Sequence, residues 1–97
     1  MKTLQEIKEI IQKHKGELQE KYKIKEIAIF GSYVRNEQKK RSDVDILVDF
    51  YELPDLLKFI EIERYLEEIL GIKVDLVRKP ALRAELRDKI LSEAVEI

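Results

Sequence analysis

The chain has 97 residues, no cysteine and a formal net charge of −1, from 19 basic and 20 acidic side chains. This length supports one hydrophobic core but no separate substrate-binding domain, so we predict a single domain over residues 1–97. The balanced charge argues against direct DNA or RNA binding, and the missing cysteines exclude disulfides, thiolate zinc sites and a cysteine nucleophile.

The first third of the sequence predicts a helix, a strand and a tight turn. Apolar residues recur at helical spacing over residues 3–22, with charged residues between them, which indicates an amphipathic helix. Residues 24–30, IKEIAIF, are rich in β-branched and aromatic side chains and predict a strand that ends at Gly31. The segment SYVRNE that follows is consistent with a short helix.

The middle of the chain predicts two further strands joined by a helix. Residues 44–50, VDILVDF, have the composition of a strand. A long helix is predicted over residues 54–70, because the segment begins with a proline and is followed by a glycine. Residues 72–77, IKVDLV, predict the third strand.

The end of the chain predicts one more helix. After Pro80, Leu82, Leu86 and Ile90 mark one face of a helix, and AVEI at the C-terminus is suited to a short terminal strand. The resulting order, α-β-α-β-α-β-α, contains no linker or internal repeat. We therefore predict an α/β (α+β) fold in which a small mixed β-sheet packs against helices.

No apolar stretch reaches the roughly 20 residues that span a bilayer. The N-terminal segment MKTLQEIKEIIQKHKG also lacks the apolar core of a signal peptide. We therefore expect a soluble, cytoplasmic protein that does not contact a membrane.

Acidic residues interrupt two of the predicted strands. Asp43 and Asp45 are two positions apart, so their side chains share one face of the strand about 7 Å apart. Two unit charges about 4 Å apart repel by roughly 4 kcal/mol at an effective dielectric of 20, so such a pair favours a shared proton or a cation. Asp75 interrupts the third strand. If the two strands are neighbours, three carboxylates meet in a site suited to Mg²⁺ or Mn²⁺.

A Gly-Ser pair lies at the predicted end of the first strand. Gly31 lets the backbone approach a ligand closely, Ser32 supplies a hydroxyl, and free N–H groups at a helix start favour phosphate. The stretch matches neither a P-loop nor a dinucleotide-binding motif. A phosphate site that faces a carboxylate cluster indicates metal-assisted phosphoryl or nucleotidyl transfer.

The combination of Gly31-Ser32, ten intervening residues, the pair Asp43 and Asp45, and Asp75 on a later strand resembles a known family. It is the minimal nucleotidyltransferase (MNT) family of the DNA polymerase β-like superfamily, in particular the MNT antitoxins paired with HEPN toxins. The resemblance covers nearly the whole chain. It implies that Gly31 and Ser32 hold the terminal phosphates of the nucleotide, while Asp43 and Asp45 bind two Mg²⁺ ions. Asp75 would ligate one metal and serve as, or support, the base.

The resemblance also assigns a role to the segment after Gly-Ser. Arg35 matches an arginine that is common at this position and is expected to contact the triphosphate. Many relatives have glycine where this chain has Asn36. Because asparagine tolerates positive φ, we expect the turn to be preserved.

The resemblance implies a Mg²⁺-dependent transfer of AMP from ATP to a hydroxyl, with release of pyrophosphate. Since the chain lacks room for a substrate domain, the expected acceptor is a partner protein, a tyrosine of a cognate HEPN toxin, in a hetero-oligomer. One alternative is a binding module that neutralises its partner by occlusion. Another is nucleotidyl transfer to a small molecule or an RNA end.

Other polar and aromatic residues have simpler interpretations. His14 is predicted to pack, Tyr33 either to stack on a base or to pack, and Ser42 to form a turn. The basic segment RNEQKKR is either a solvated loop or a contact for triphosphate or an acidic partner. The glutamates of the predicted 54–70 helix are expected to form a solvated face; they are Glu61, Glu63, Glu67 and Glu68.

Overall fold

The computed structural model describes residues 2–97, whose strands form a four-stranded mixed sheet with helices packed against it. The α-helices are α1 (Leu4–Lys13), α2 (Lys15–Tyr22), α3 (Leu56–Leu70) and α4 (Ala84–Glu93). The strands are β1 (Ile24–Phe30), β2 (Val44–Phe50), β3 (Val74–Arg78) and β4 (Val95–Glu96). Short 3-10 turns, Gly31–Tyr33 and Lys79–Ala81, follow β1 and β3. The predicted fold class is confirmed.

The sheet has the strand order β3-β2-β1-β4. β1 pairs antiparallel with both β2 and β4, whereas β2 and β3 pair in parallel. A parallel pair needs a crossover connection, and α3 provides it. Within residues 2–97, neither α3 nor any other helix is long and apolar enough to cross a membrane.

One face of the sheet forms the hydrophobic core. Val44, Ile46 and Val48 alternate along β2 and are at most 1% exposed. They belong to one cluster with side chains of α1, α2 and α3, which places those helices on this face. The alternate residues of β2, including Asp45 and Asp49, therefore lie on the opposite face.

The predicted helix over residues 3–22 is wrong in one respect, because it is two helices separated at His14. The backbone of His14 has φ −106° and ψ 5°, and its N–H bonds to the carbonyl of Ile11. Its ring Nδ1 lies 2.9 Å from the carbonyl oxygen of Ile10, which a continuous helix would pair with the His14 N–H. The ring packs edge-on against Tyr65, with 6.0 Å between centroids, which agrees with the predicted packing role.

The last helix begins later than predicted and has no buried face. α4 starts at Ala84, so Leu82 lies outside it, and Leu86 is 45% exposed. No residue of α4 is buried. Near its end, Leu91 lines a small cavity of about 140 Å³ on the second face of the sheet. The apolar spacing predicted the helix but not its position at the margin of the fold.

Two glutamates of α3 cover the open edge of β3, so the prediction of a fully solvated helix face is wrong for them. Glu67 Oε2 accepts a hydrogen bond of 3.1 Å from the N–H of Val74. Glu63 Oε2 accepts one of 3.1 Å from the N–H of Leu76. Because β3 is an edge strand, these donors have no neighbouring strand to pair with. The helix therefore fixes the strand that carries Asp75.

Replacing Glu63 or Glu67 by alanine is expected to destabilise the protein, because each change leaves a strand N–H without its charged acceptor. Each substitution should lower the free energy of unfolding by about 1–2 kcal/mol. Urea denaturation measures the change. Glu68→Ala is the matched control, since Glu68 is exposed on the same helix. Equal stabilities for Glu67→Ala and Glu68→Ala would contradict the proposed edge contact.

Candidate active site

The centre of the candidate site is a pair of carboxylates on adjacent parallel strands. The register of β2 and β3 places Asp45 directly beside Asp75. Neighbouring strands lie about 4.8 Å apart, so the two side chains project next to one another from the same face. Asp75 is exposed, whereas Asp45 is only partly exposed.

The electrostatics of Asp45 reflect this crowding. Burial, followed by the negative charges of Asp75 and Asp43, raises the pKa of Asp45 from 3.8 to about 6. A hydrogen bond with Asp75 acts in the same direction, whereas the positive charge of Arg35 opposes it. A carboxylate whose pKa is raised by like charges is stabilised by a proton or a cation.

Gly31 lies directly against Asp45. Its φ is +80°, and a Cβ atom added to it would lie 2.0 Å from Asp45 Oδ2. Any side chain larger than hydrogen would therefore displace the Asp45 carboxylate. Both the backbone angle and the close approach require glycine here.

The segment after Gly31 forms one 3-10 turn, which is shorter than the helix predicted for SYVRNE. The N–H of Arg35 donates to the Gly31 carbonyl over 3.2 Å, and the N–H of Glu37 donates to the Ser32 carbonyl over 2.8 Å. Asn36 has a φ of 57°, so asparagine does support the turn in place of glycine, as predicted. These hydrogen bonds fix the backbone of Gly31 and Ser32 at the end of β1.

Of the two roles left open for Tyr33, the structure shows packing, and Ser42 forms the predicted turn. Tyr33 is 3% exposed and belongs to the hydrophobic core, and burial together with the charge of Asp43 raises its pKa. Ser42 Oγ accepts a hydrogen bond of 2.7 Å from the N–H of Lys39, which closes the loop before β2. The buried Tyr33 side chain is therefore not available to stack on a base.

Arg35 is held between two carboxylates. Its guanidinium forms ion pairs with Glu37 and with Glu93, the last residue of α4. Glu93 Oε1 lies 3.0 Å from Arg35 Nη1 and also accepts a 3.0 Å hydrogen bond from the N–H of Gly31. Although burial opposes ionisation, these donors hold the pKa of Glu93 below its ordinary value.

Sequence reasoning missed Glu93 because the contact spans 62 positions. The contact follows from tertiary structure. β4 pairs with the end of β1, and this pairing brings Glu93, the last residue of α4, beside Gly31. The short AVEI strand was the one local signal for this arrangement.

Asp43 lies at the rim of a basic groove of about 440 Å³. Lys40, Arg41 and Lys73 contribute its positive charges, and Asp43 is the one acid among the described lining residues. Asp43 itself is exposed. The basic loop therefore borders the candidate site rather than pointing away from it.

The carboxylates of Asp43, Asp45 and Asp75 do not form a complete set of metal ligands by themselves. Across residues 2–97, no three acidic, histidine or cysteine side chains are close enough to hold a metal ion. The structure brings Asp45 and Asp75 together and leaves Asp43 at the rim. This arrangement fits Mg²⁺, which commonly takes one or two protein carboxylates and completes its shell with water and substrate phosphates.

Comparison with known proteins adds evidence that is independent of this geometry. A family model described as a nucleotidyltransferase domain matches residues 11–97. A protein adenylyltransferase named MntA, from Thermococcus cleftensis, is 55% identical over 97 residues, covering 100% of this chain and 98% of that protein.

Two solved structures share the fold. A toxin-antitoxin crystal structure with AMP-PNP contains a chain that is 26% identical, with a TM-score of 0.72, over 93% of this chain and 70% of that chain. A complex of an MNT antitoxin with a tri-AMPylated HEPN toxin from Shewanella oneidensis gives 23% identity and a TM-score of 0.67 over the same shares. The second likeness supports the fold alone. The family match, the relative and the site geometry together show that this chain is a nucleotidyltransferase of the minimal nucleotidyltransferase family.

Proposed function

We propose that this enzyme transfers the adenylyl group of ATP to a hydroxyl of a partner protein. The observation that carries the proposal is that Asp45, which is paired in register with Asp75, lies directly against Gly31 of the Gly31-Ser32 turn. A phosphate site and a pair of acids then share one end of the sheet. The relative named as a protein adenylyltransferase and the related complex with AMP-PNP support adenylyl transfer from ATP.

The nucleotide side of the site is assigned to Gly31, Ser32 and Arg35. Backbone N–H groups in a tight turn bind phosphate oxygens. The absence of a side chain at Gly31 lets the Asp45 carboxylate lie directly against this turn. The Ser32 hydroxyl can donate a further hydrogen bond. Arg35 supplies positive charge in a planar fork that suits phosphate.

The metal side is assigned to Asp43, Asp45 and Asp75, with Mg²⁺ as the expected ion and Mn²⁺ as a substitute. The fit rests on the register that places Asp45 beside Asp75. Burial, followed by the charges of Asp75 and Asp43, also raises the pKa of Asp45, so a cation would stabilise its ionised form. When bound, a divalent cation would neutralise phosphate charge and polarise the phosphoryl oxygens.

The chain's own residues can account for the proton in the reaction. Asp75 is exposed beside Asp45 and is proposed to accept the proton of the acceptor hydroxyl, or to support the group that does. The hydroxyl oxygen then forms a bond to the α-phosphorus. The bond from that phosphorus to the bridging oxygen breaks, and pyrophosphate leaves with the electron pair.

We infer that the acceptor is a tyrosine of a cognate HEPN toxin, which adenylylation would silence. The toxin-antitoxin structure with AMP-PNP, which contains a chain 26% identical to this one, supports a toxin as the partner. The HEPN class and the tyrosine are what the family resemblance implies. Exposure of Asp43 and Asp75 leaves the site open to a side chain from a macromolecule. In this proposal the protein is an antitoxin that forms a hetero-oligomer with its target.

A second candidate function is neutralisation of the partner by occlusion alone. It is favoured by a group of exposed apolar side chains that follow β2, at the end of that strand opposite to Asp45. They are 65–80% exposed; they are Tyr51, Leu53, Leu56 and Leu57. Such a surface can bind a protein without using the nucleotide site.

Asp45→Asn and Asp75→Asn are each expected to lower transfer of labelled AMP to the cognate toxin at least 100-fold, because each change removes a carboxylate from the reacting site. Intact-mass spectrometry of the toxin gives the readout. Asp49→Asn is the matched control, since Asp49 lies on the same face of β2 at its far end. Full toxin inhibition by both site variants without added mass would support occlusion and contradict the enzymatic proposal.

Gly31→Ala is expected to reduce transfer at least 100-fold, because the new Cβ would displace the Asp45 carboxylate. The matched control is Gly71→Ala. Gly71 also has positive φ, at +70°, but nothing lies within 4 Å of its added Cβ. Both variants therefore carry a similar backbone penalty, and only Gly31→Ala alters the site. Similar losses of activity in the two variants would indicate a folding effect and refute the steric explanation.

Asp45→Asn is also expected to stabilise the protein at pH 7.5 in the absence of divalent cations. The pKa of Asp45 is about 6 in the folded state against 3.8 in the reference state, so ionisation opposes folding as the pH rises. Because Asp45 is partly exposed and screened by water, the gain should be only on the order of 1–2 kcal/mol at pH 7.5, and it should vanish below a pH of about 4. Thermal denaturation at both pH values tests this, with Asp49→Asn as control. A gain that is the same at both pH values would show that the ionisation of Asp45 is not its cause.

A further inference from the structure

The donors assigned to the triphosphate are already bound by a carboxylate of the protein. Glu93 Oε1 accepts from the N–H of Gly31 at 3.0 Å. Both oxygens of Glu93 lie within 3.1 Å of Arg35 Nη1. A carboxylate and a phosphate present the same chemistry to these donors, namely anionic oxygens that accept charge-assisted hydrogen bonds.

Glu93 and a triphosphate would compete for these donors. The Gly31 N–H has one hydrogen to donate. The Glu93 side chain is 17% exposed, so its charge is poorly screened by water and would repel phosphate oxygens beside it. Arg35 is also paired with Glu37, which leaves little of its positive charge uncompensated.

We propose that Glu93 is a built-in competitor of the nucleoside triphosphate, which occupies Gly31 and Arg35 until the nucleotide displaces it. The proposal rests on the proposed function for its assignment of Gly31 and Arg35 to the phosphates. The new element is that ATP must displace the Glu93 carboxylate from Gly31 and Arg35, so the measured affinity for ATP reflects this exchange.

The position of Glu93 connects this exchange to the movement of a helix. Glu93 is the last residue of α4, which has no buried residue and no side-chain hydrogen bond at its N-cap. Beyond α4, the chain is anchored independently: the N–H of Ile97 donates to the Ile27 carbonyl over 3.0 Å, and Ile97 is 8% exposed. Release of Glu93 therefore loosens α4 while β4 stays in the sheet.

The decisive experiment compares ATP binding by the natural chain, Glu93→Gln and Glu85→Gln, using isothermal titration calorimetry with ATP and Mg²⁺. Glutamine keeps the size of Glu93 but removes the competing charge. Because Glu93→Gln removes the competing charge and the Arg35 side chain is 43% exposed to screening by water, we expect this variant to bind ATP about three- to tenfold more tightly. Glu85→Gln makes the same charge change at the exposed start of α4 and should leave the affinity unchanged.

Hydrogen exchange of the α4 amides provides a second test, which the natural chain alone can supply. Addition of ATP should increase exchange in α4, because binding releases Glu93. In Glu93→Gln, exchange should be faster before ATP is added and should change less on binding. Unchanged or slower exchange of α4 in the natural chain on ATP binding would overturn the proposal.

The remaining outcomes separate this inference from the proposed function. Affinity that is unchanged or weaker in Glu93→Gln, with a lower melting temperature, would show that Glu93 only tethers the helix and would refute the competition. Tighter ATP binding without AMP transfer to any HEPN toxin would support the competition and reject the proposed acceptor. No ATP binding by either the natural chain or Glu93→Gln would overturn both.

Discussion

The candidate site depends on the parallel pairing of β2 with β3, which holds the carboxylates of Asp45 and Asp75 side by side against their repulsion. The register is fixed from the other face of the sheet, where Val44, Ile46 and Val48 are packed under the helices. A slip of one residue would bury the acids and expose the core residues. The free energy of the core therefore maintains an arrangement that the carboxylates alone would not adopt.

The site combines local and distant sequence. The Gly31-Ser32 turn and the acids of β2 lie within one hairpin, so the antiparallel register of β1 with β2 brings Phe30 opposite Asp45 and Gly31 against its side chain. Asp75 joins through the α3 crossover, and Glu93 joins through the pairing of β4 with β1. A small fold can thus assemble the site because each element contributes one or two groups at the same end of the sheet.

Much of this arrangement could be predicted from the sequence. The strands at 24–30 and 44–50 have the predicted bounds, because short β-branched runs are limited there by turn residues. The positive φ of Asn36 followed from its side-chain chemistry. The sequence did not reveal the break at His14, which depends on one ring nitrogen competing for a carbonyl, nor the contacts of Glu93, which depend on tertiary pairing. Helical periodicity places Glu63 and Glu67 on one face of α3 and Glu61 and Glu68 on another, but it does not show which face reaches the edge of β3.

The glutamate contacts on β3 have a consequence for how another protein can approach. An edge strand normally offers free N–H groups to which a partner chain can add a strand of its own. Here Glu63 and Glu67 occupy the N–H groups on either side of Asp75, so β-augmentation is blocked at this edge. In the proposed reaction, an acceptor protein would therefore be recognised through its side chains and surface shape, without a backbone that extends the sheet beside Asp75. The same contacts protect this edge from pairing with the β3 edge of another copy of the chain.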